Sequence, residues 1–243
     1  MSVLTVSGIE VHFGGVVALD GVDIDAEPAR VTGLVGPNGA GKTTLFNAVT
    51  GLRPPDAGRV VLDGVDITRA KPFQRARLGM GRTFQKLELF RLLSVRENVQ
   101  LAATLRRRHT DWDGDPEAEA VRVVDRVGLG EVLDARVDVL PTGQARLVEI
   151  ARALATGPRV LLLDEPASGQ DERETDALAG LLTSLAADDG IGVLLVEHDM
   201  GLVMNVCAHI HVLDFGRIIA AGTPADIRRD PHVLHAYLGT GAA

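Results

Sequence analysis

A glycine-rich segment followed by a lysine and two threonines is the clearest chemical feature of the sequence. Its residues are Gly36, Pro37, Asn38, Gly39, Ala40, Gly41, Lys42, Thr43 and Thr44. Glycines at this spacing leave backbone N–H groups free to turn toward phosphate oxygens, while Lys42 can reach the β- and γ-phosphates and the Thr43 hydroxyl can bind Mg²⁺. An apolar strand pattern precedes the segment and a helical pattern follows it, so the positive end of that helix faces the same anion. The segment therefore predicts a site for a magnesium-bound nucleoside triphosphate.

Two adjacent carboxylates end an apolar run later in the chain. The run Val160–Leu163 is followed directly by Asp164 and Glu165. A strand beside the phosphate loop would bring Asp164 to the Mg²⁺ ion, and Glu165 could polarise a water molecule for in-line attack on the γ-phosphate. Many strands end in a polar turn, so the pair becomes specific only together with the loop. Together they predict phosphoryl transfer to water.

The elements that must position these groups follow the rhythm of a layered α/β domain. Continuous apolar runs at 31–35, 160–163 and 193–196 predict interior strands that are buried on both faces. The first 30 residues alternate apolar and polar side chains, which predicts a half-exposed antiparallel sheet. The segment 209–219 predicts a strand, a turn at Phe215-Gly216 and a second strand.

The strand pattern stops between about residues 87 and 140. Ser94 and Glu97 form a capping-box pair ahead of a helical apolar face, and a second helical pattern begins at Glu117. We interpret this stretch as a helical subdomain inserted into the α/β core.

Composition narrows the functional class. The chain has 243 residues, a net charge of −8 and one cysteine, Cys207. The acidic balance argues against a nucleic-acid partner, and the basic run Arg106–Arg108 is predicted to be a solvated helix end. Cys207 excludes an internal disulfide and is predicted to be a small buried apolar residue. No apolar run reaches the roughly 20 residues of a membrane span, and no secretion signal is evident, so we expect a cytosolic protein.

From about Leu4 to Leu238 the chain resembles the nucleotide-binding subunits of ATP-binding cassette (ABC) transporters. Beyond the loop and the carboxylate pair, five more of that family's markers occur in order. Phe13 matches the aromatic residue that stacks on adenine, and Gln85 matches the glutamine that senses Mg²⁺ and the attacking water. His198 matches the histidine that contacts the γ-phosphate. Ser168–Asp171 corresponds to the loop that crosses the dimer interface, which implies a nucleotide-site role for Asp171.

The peptide that follows Leu140 occupies the place of the family's signature sequence, ahead of a helix expected at 145–155. Its residues are Pro141, Thr142, Gly143 and Gln144. In the family this peptide contacts the γ-phosphate held by the opposite subunit. Pro141 replaces the usual serine and has neither a hydroxyl nor an N–H group. We hypothesise that the Thr142 hydroxyl or the Gly143 amide supplies the missing donor.

The resemblance implies an architecture with a RecA-like P-loop NTPase core, an N-terminal antiparallel β subdomain and an inserted helical subdomain. The whole chain, 1–243, would be one ABC ATP-binding domain: segments 1–85 and 141–243 would form the α/β catalytic core with the β subdomain, 86–140 the helical subdomain and 223–243 a short helical tail. It implies ATP and Mg²⁺ as ligands. It also implies an identical or paralogous second ABC ATPase subunit, two transmembrane permease subunits, an indirect solute-binding protein, and a peripheral location on the cytoplasmic side of the membrane.

A closer similarity points to the ATPases of branched-chain amino acid importers. Stretches typical of that subgroup are Arg82–Val99, Ile150–Ala155, Leu163–Gly169, Val196–Met200 and Asp230–Gly239. Gln170, where the family usually has leucine, and Pro141 leave a homodimer and an asymmetric pair equally open. Two alternatives remain: a soluble ABC ATPase outside transport, and a weakly hydrolysing regulatory partner.

Two further interpretations of the sequence concern interfaces and metals. Leu87, Leu89, Phe90 and Leu92 lie just after Gln85. We expect some of them to be core and one or two to line a groove for a short helix of the membrane subunit, with Phe90 as the best interface candidate. The histidine pairs at 209/211 and 232/235 lack acidic or thiol partners, so we do not expect a metal site there.

Overall fold

A computed structural model describes residues 2–238 of the chain, so the part of the predicted tail beyond Leu238 lies outside the described residues. Its strands are β1 Leu4–Phe13, β2 Val16–Ala26, β3 Val31–Val35, β4 Ala57–Leu62, β5 Val65–Asp66, β6 Met80–Arg82, β7 Val160–Asp164, β8 Gly192–Val196, β9 His209–Asp214 and β10 Arg217–Gly222. Its α-helices are α1 Lys42–Thr50, α2 Pro72–Arg77, α3 Val95–His109, α4 Pro116–Arg126, α5 Thr142–Ala155, α6 Glu172–Ala187, α7 Met200–Val206, α8 Pro224–Arg229 and α9 Pro231–Leu238.

A six-stranded sheet in the order β10-β9-β3-β8-β7-β6 forms the centre of the fold. Its strands pair in parallel except at the β9–β10 hairpin, whose turn lies at Phe215-Gly216 as predicted. Every residue of β3, β7 and β8 is buried, which confirms the three predicted interior strands.

The strand that ends in Asp164 is not the immediate neighbour of the phosphate-loop strand, because β8 lies between β3 and β7. The carboxyl ends of parallel neighbours still meet at one edge of the sheet. Asp164 pairs with Val196 at the end of β8, and Leu34, next to the end of β3, pairs with the same residue. The intervening strand therefore separates the two segments without removing them from one site.

A second, antiparallel sheet in the order β2-β1-β4-β5 covers one face of this centre. Its buried side chains share one hydrophobic cluster with α1 and the parallel sheet, including Leu4, Leu45, Phe46 and Leu162. The predicted antiparallel sheet at the N-terminus is confirmed. The helices α5, α6 and α7 pack in a different cluster, together with side chains of the parallel sheet such as Leu161 and Leu163.

Between β6 and α5 the chain forms the helices α3 and α4, as predicted. The Ser94 Oγ accepts from the Glu97 N–H at 3.1 Å, and a Glu97 oxygen accepts from the Ser94 N–H at 2.7 Å, so the capping box is confirmed. Helix α4 begins at Pro116 behind an Asp115 cap, one residue earlier than expected. Both α3 and α4 bury apolar side chains in the same cluster as α5. The division at 86–140 into a separate subdomain stays a prediction.

Two expectations about single side chains have clear outcomes. Arg107 and Arg108 are exposed in the last turn of α3, as predicted, whereas the Arg106 side chain stacks over Trp112 and lies 3.3 Å from a Glu119 oxygen. Cys207 is buried, as predicted. Within residues 2–238, no group of His, Cys, Asp and Glu side chains has the arrangement of a metal site. No helix of the described part is long and apolar enough to cross a membrane.

Candidate active site

The glycine-rich loop curls between the end of β3 and the start of α1. Gly36 has φ 154°, and a Cβ atom there would lie 2.0 Å from the Leu213 carbonyl oxygen, so no other residue fits without moving β9. The Lys42 ammonium donates to the carbonyl oxygens of Gly36 at 2.6 Å and Pro37 at 3.0 Å. Two carbonyl oxygens of the loop therefore hold the Lys42 ammonium group against the loop backbone.

Lys42 lies among acidic groups and is itself buried. Burial lowers the pKa of its ammonium, and the charges of Glu165 and Asp164 raise it. Thr43 is exposed in the first turn of α1, where the unpaired backbone N–H groups carry the positive end of the helix dipole. This arrangement favours an anion at the loop.

Glu165 is held from two sides at the end of β7. Its Oε1 lies 2.6 Å from the His198 Nε2, and its Oε2 accepts from the Gln85 side-chain amide at 3.1 Å. The backbone of Glu165 has a left-handed φ of 51°, and its N–H donates to the Val196 carbonyl oxygen at 2.9 Å. Three residues that the sequence singled out separately therefore meet at one carboxylate.

Asp164 is 3% exposed and is paired with a residue that the sequence analysis did not assign to the site. The Arg82 guanidinium lies 3.4 Å from an Asp164 oxygen and also donates to Asn47 and Thr50 of α1, each at 2.9 Å. Burial raises the pKa of Asp164, Arg82 opposes that shift, and the neighbouring Glu165 charge adds to it. The only sequence signal for Arg82 was its position at the end of a short apolar strand, three residues before Gln85.

Glu197 is a second residue missed by the sequence analysis. It is buried, and its two carboxylate oxygens accept from the Ala167 N–H at 2.7 Å and the His198 N–H at 3.0 Å. Burial raises the pKa of Glu197, against the effect of these hydrogen bonds. The carboxylate ties the segment after Glu165 to the residue that contacts Glu165.

Phe13 lies at the tip of the β1–β2 hairpin. Its side chain is 51% exposed, and the Arg53 guanidinium carbon lies 4.6 Å from the ring centroid. The second strand of the same hairpin passes the loop, since the Ala18 carbonyl oxygen is within 2.9 Å of where a Gly41 Cβ would stand. The ring is thus accessible to a planar ligand on the hairpin that adjoins the loop.

The peptide at 141–144 forms the first turn of α5, which begins at Thr142 and not at the predicted Ala145. Pro141 is the residue immediately before the helix, as its conformational preference allows. Gly143 faces Glu174, and a Cβ there would lie 2.5 Å from a Glu174 oxygen. Among residues 2–238, no hydrogen bond joins this peptide to the loop at 36–44.

Asp171 serves as the N-cap of α6. Its Oδ1 accepts from the Glu174 N–H at 2.9 Å, and its own N–H donates to a Glu174 oxygen at 3.1 Å. The neighbouring Gln170 has a buried side-chain oxygen without a hydrogen-bond partner among the described residues. Glu174 therefore connects the Asp171 turn to the start of α5.

A groove of about 630 Å³ opens beside the Gln85 segment. Its apolar lining comes from side chains that follow α1, from α2, from α3 and from the segment before α3: Leu52, Phe73, Phe84, Phe90, Leu101 and Leu105. Phe90 is 49% exposed, whereas Leu89 packs against the core and Leu92 is exposed outside the groove. Leu89 thus belongs to the core and Phe90 to the groove, whereas occupation of the groove by a helix of the membrane subunit stays a prediction.

Comparison with known proteins shows the family of the chain. Residues 19–168 match the ABC transporter family, and residues 217–243 match a family described as branched-chain amino acid ATP-binding cassette transporter. The chain is 40% identical to the high-affinity branched-chain amino acid transport ATP-binding protein BraF of Pseudomonas aeruginosa, with 98% of each chain covered. It is 38% identical to LivG of Escherichia coli, a protein of the same description, with 97% of each covered. It is 36% identical to the lipopolysaccharide export system ATP-binding protein LptB of Escherichia coli, with 98% of each covered.

Solved structures extend the comparison to the fold. The ADP conformation of an ATP-binding cassette of an ABC transporter superposes with a TM-score of 0.88 at 32% identity, covering 98% of this chain and 99% of that one. The CbiO1 protein of Clostridium perfringens, part of an ABC transporter complex, superposes with a TM-score of 0.85 at 27% identity, covering 98% and 95%. The chain has the α/β fold of an ABC cassette and belongs to the ABC transporter family of ATP-binding, ATP-hydrolysing subunits.

Proposed function

We propose that this chain hydrolyses magnesium-bound ATP to drive an importer of branched-chain or related amino acids. The BraF and LivG relatives are named for that transport, and the match at 217–243 is to a family of the same description. The LptB relatives, named for lipopolysaccharide export, are 34–36% identical, so overall identity separates the two activities only weakly. The C-terminal match is what favours amino acid import.

The observation that carries the catalytic proposal is the clamped Glu165 carboxylate. A carboxylate with His198 at 2.6 Å and Gln85 at 3.1 Å has a fixed orientation, which a general base needs to accept a proton from an attacking water. Lys42 and the backbone N–H groups of the loop would bind the β- and γ-phosphates, and His198 would contact the γ-phosphate. Phosphoryl transfer depends mainly on positioning and charge, which these groups supply.

The residues near the loop fit a magnesium ion. Asp164 offers a buried carboxylate whose pKa is raised by burial, so a nearby cation would favour its ionised form. The Thr43 hydroxyl is exposed in the adjoining helix turn. Oxygen donors of this kind suit Mg²⁺, which would neutralise charge on the β- and γ-phosphates when bound. Asp164, Thr43 and Gln85 are the proposed ligands, and Phe13 the proposed adenine contact.

A second ABC ATPase subunit is part of the proposal. The 141–144 peptide makes no hydrogen bond to the phosphate loop of its own chain within residues 2–238, yet it presents an exposed Thr142 at a helix N-terminus. In a head-to-tail pair this peptide would contact the nucleotide of the opposite chain, where Asp171 would also reach the interface. Two ATP molecules would then be enclosed between two chains, identical or paralogous.

The groove beside Gln85 is the proposed contact with the membrane subunits. Phe90 lines it, and Gln85 connects the same segment to Glu165, so a helix seated there would sense the nucleotide state. Two transmembrane permease subunits would occupy the grooves of a dimer, with a solute-binding protein acting through them. The chain would then lie peripherally on the cytoplasmic face of the membrane. Cysteine crosslinking from position 90 is expected to capture a membrane subunit; products formed only within the chain would contradict this contact.

The catalytic proposal is tested by Glu165→Gln, with Glu131→Gln, at an exposed residue of the 3₁₀ turn Gly130–Val132, as the matched control. Loss of a positioned general base is expected to lower kcat by about 10²–10⁴-fold. ATP binding measured by calorimetry should remain, because the phosphate loop is unchanged. Wild-type turnover in Glu165→Gln would remove this residue from the proposed role.

The transport proposal requires the assembled complex. ATP turnover by the chain reconstituted with its membrane subunits in proteoliposomes should rise when leucine, isoleucine or valine is supplied with the solute-binding protein. Fast turnover that never responds to membrane subunits would instead favour a soluble ABC ATPase. ATP binding without appreciable turnover in the complex would favour a regulatory partner.

A further inference from the structure

Helix α5 grips the backbone on both sides of Gln85 with a side chain just after the 141–144 peptide. The Arg146 guanidinium donates to the Gln85 carbonyl oxygen at 2.7 Å and to the Phe84 carbonyl oxygen at 3.0 Å. Its Nη1 also lies 3.3 Å from a Glu149 oxygen, and both side chains are at most one-tenth exposed. One planar cation therefore fixes two successive peptide groups of the Gln85 segment.

The same face of α5 holds the segment again three residues further on. A Glu149 oxygen accepts from the Glu88 N–H at 2.9 Å, and Arg152 donates to the Glu88 carbonyl oxygen. Arg146, Glu149 and Arg152 are spaced at i, i+3 and i+6, so they stand in a row on one side of the helix. The hydrogen bonds from this row to the segment at 84–88 all go to its backbone.

Burying the charged side chains of α5 against the segment at 84–88 costs desolvation free energy. Burial removes part of the water around both charges, which raises the pKa of Glu149 and lowers the pKa of Arg152. Hydrogen bonds from charged donors to buried carbonyl groups offset this desolvation and are directional, so they restrict the segment to one conformation. The Gln85 amide that reaches Glu165 leaves from that restricted backbone.

We infer that Arg146 is a positioning residue for hydrolysis: it holds the Gln85 backbone so that the side-chain amide meets Glu165. This inference rests on the proposed roles of Gln85 and Glu165. Thr142 precedes Arg146 by four residues, which is about 6 Å along a helix axis. Helix α5 thus joins the peptide proposed to contact the opposite nucleotide to the glutamine of its own site. A displacement of α5 during dimer closure would be transmitted to Gln85 through this guanidinium.

The test compares turnover by the full-length chain carrying Arg146→Lys, Gln85→Ala or both. Lysine keeps the charge but cannot donate to both carbonyl groups in one plane. Arg146→Lys is expected to lower kcat about tenfold and to change the KM for ATP less than twofold, because the phosphate loop is untouched. In the Gln85→Ala background the same change should add less than a twofold loss, since both substitutions remove one interaction. Arg122→Lys, at an exposed arginine paired with Glu119, is the matched control.

The outcomes distinguish a failure of the positioning role of Arg146 from a failure of the proposed role of Gln85. If Gln85→Ala turns over ATP at the wild-type rate, the proposed role of Gln85 is wrong and the inference falls with it. If Gln85→Ala is slow but Arg146→Lys is not, or if the two losses multiply, only the inference is overturned. Should Arg146→Lys fail to fold, Glu149→Gln is the substitute, expected to lower kcat at constant KM and again without further loss in Gln85→Ala.

Amide hydrogen exchange gives an independent readout. The Glu88 N–H that donates to Glu149 should exchange at least tenfold faster in Arg146→Lys, while amides in the centre of α5 keep wild-type protection. Unchanged protection at residues 84–88 would contradict the claim that Arg146 fixes this backbone. A general loss of protection across α5 would contradict it also, because the variant would then have lost the helix and not the contact.

Discussion

Arg82 carries the strongest stability prediction in the structure. Its side chain is 9% exposed and connects three elements: β6, the Asp164 end of β7, and Asn47 and Thr50 on α1. Its guanidinium carbon also lies 4.8 Å from the Phe84 ring centroid and 5.6 Å from that of Phe46. Arg82→Ala therefore removes the cation that compensates the buried Asp164 carboxylate. It also removes two hydrogen bonds from a charged donor, to Asn47 and to Thr50.

The loss in the free energy of unfolding depends on Asp164, which stays buried without its cation. Removing one member of a buried ion pair costs about 3–5 kcal/mol, and each lost hydrogen bond to a neutral group adds about 1 kcal/mol. Protonation of Asp164 limits the cost, since burial already raises the pKa of that carboxyl and Arg82 opposes the shift. We expect a loss of about 4 kcal/mol near neutral pH, or about 10 °C in Tm for a domain of this size.

The pH dependence gives the prediction a sign. In Arg82→Ala the pKa of Asp164 is raised further above its unfolded value, so the folded state binds the proton more tightly than the unfolded chain does. The free energy of unfolding of the variant, relative to the wild type, is therefore highest below the pKa that Asp164 has in the unfolded chain. It falls as the pH rises toward the pKa that Asp164 has in the folded variant. The destabilisation should accordingly be larger at pH 8 than at pH 5.

The measurement is urea unfolding followed by circular dichroism at both pH values. Arg159→Ala is the control, because that arginine is 62% exposed and its Asp63 partner is 51% exposed, which predicts a change within about 1 kcal/mol. Adding Asp164→Asn to Arg82→Ala should recover about half of the loss and remove its pH dependence. A change in Arg82→Ala as small as in the control, with no pH dependence, would refute the reasoning.

Three further predictions concern other parts of the site. Gly36→Ala should abolish ATP binding in calorimetry and lower Tm, because its Cβ would stand 2.0 Å from the Leu213 carbonyl oxygen; Gly180→Ala in α6, with no atom within 4 Å and no left-handed φ, should do neither. Burial raises the pKa of Cys207 to about 12, so its thiol should resist iodoacetamide at pH 8 until urea unfolds the chain. The free energy of unfolding that the neutral thiol contributes should decline from pH 9 upward. Fast modification of Cys207 in the folded protein would disprove this prediction. Thr142→Val should lower ATP turnover of the assembled complex about tenfold or more at unchanged Tm, and wild-type turnover would leave the Gly143 amide as the remaining donor.

The sequence predicted those parts of the site that lie within one segment. The loop at 36–44 and the pair Asp164–Glu165 each combine a strand end with the residues that follow it, so their local order follows from hydrophobic period and turn chemistry. The capping box at Ser94 is local in the same sense. Gln85 and His198 required a family resemblance, because an isolated polar residue after a strand has no pattern of its own.

The parts that the sequence did not predict depend on which strands become neighbours. The insertion of β8 between β3 and β7 is a property of sheet order, which apolar runs do not encode. Arg82 joins residues 35 and 82 positions away, and Arg146 reaches back 61 positions to the Gln85 carbonyl. Such contacts arise only after the sheet has formed, when the ends of separate strands meet.

The conformation of Glu165 connects these distant contacts to the chemistry. A left-handed φ of 51° costs a residue with a side chain roughly 1–3 kcal/mol, so the surroundings must enforce it. The Val196 carbonyl oxygen accepts from its N–H, and Glu197 holds the Ala167 N–H two residues later. The backbone turn directs the carboxylate to His198 and Gln85 instead of continuing the line of β7. The strained backbone of Glu165 thus lowers the stability of the fold and fixes the direction of the carboxylate. Such a cost is expected where the direction of the carboxylate decides whether it can activate a water molecule.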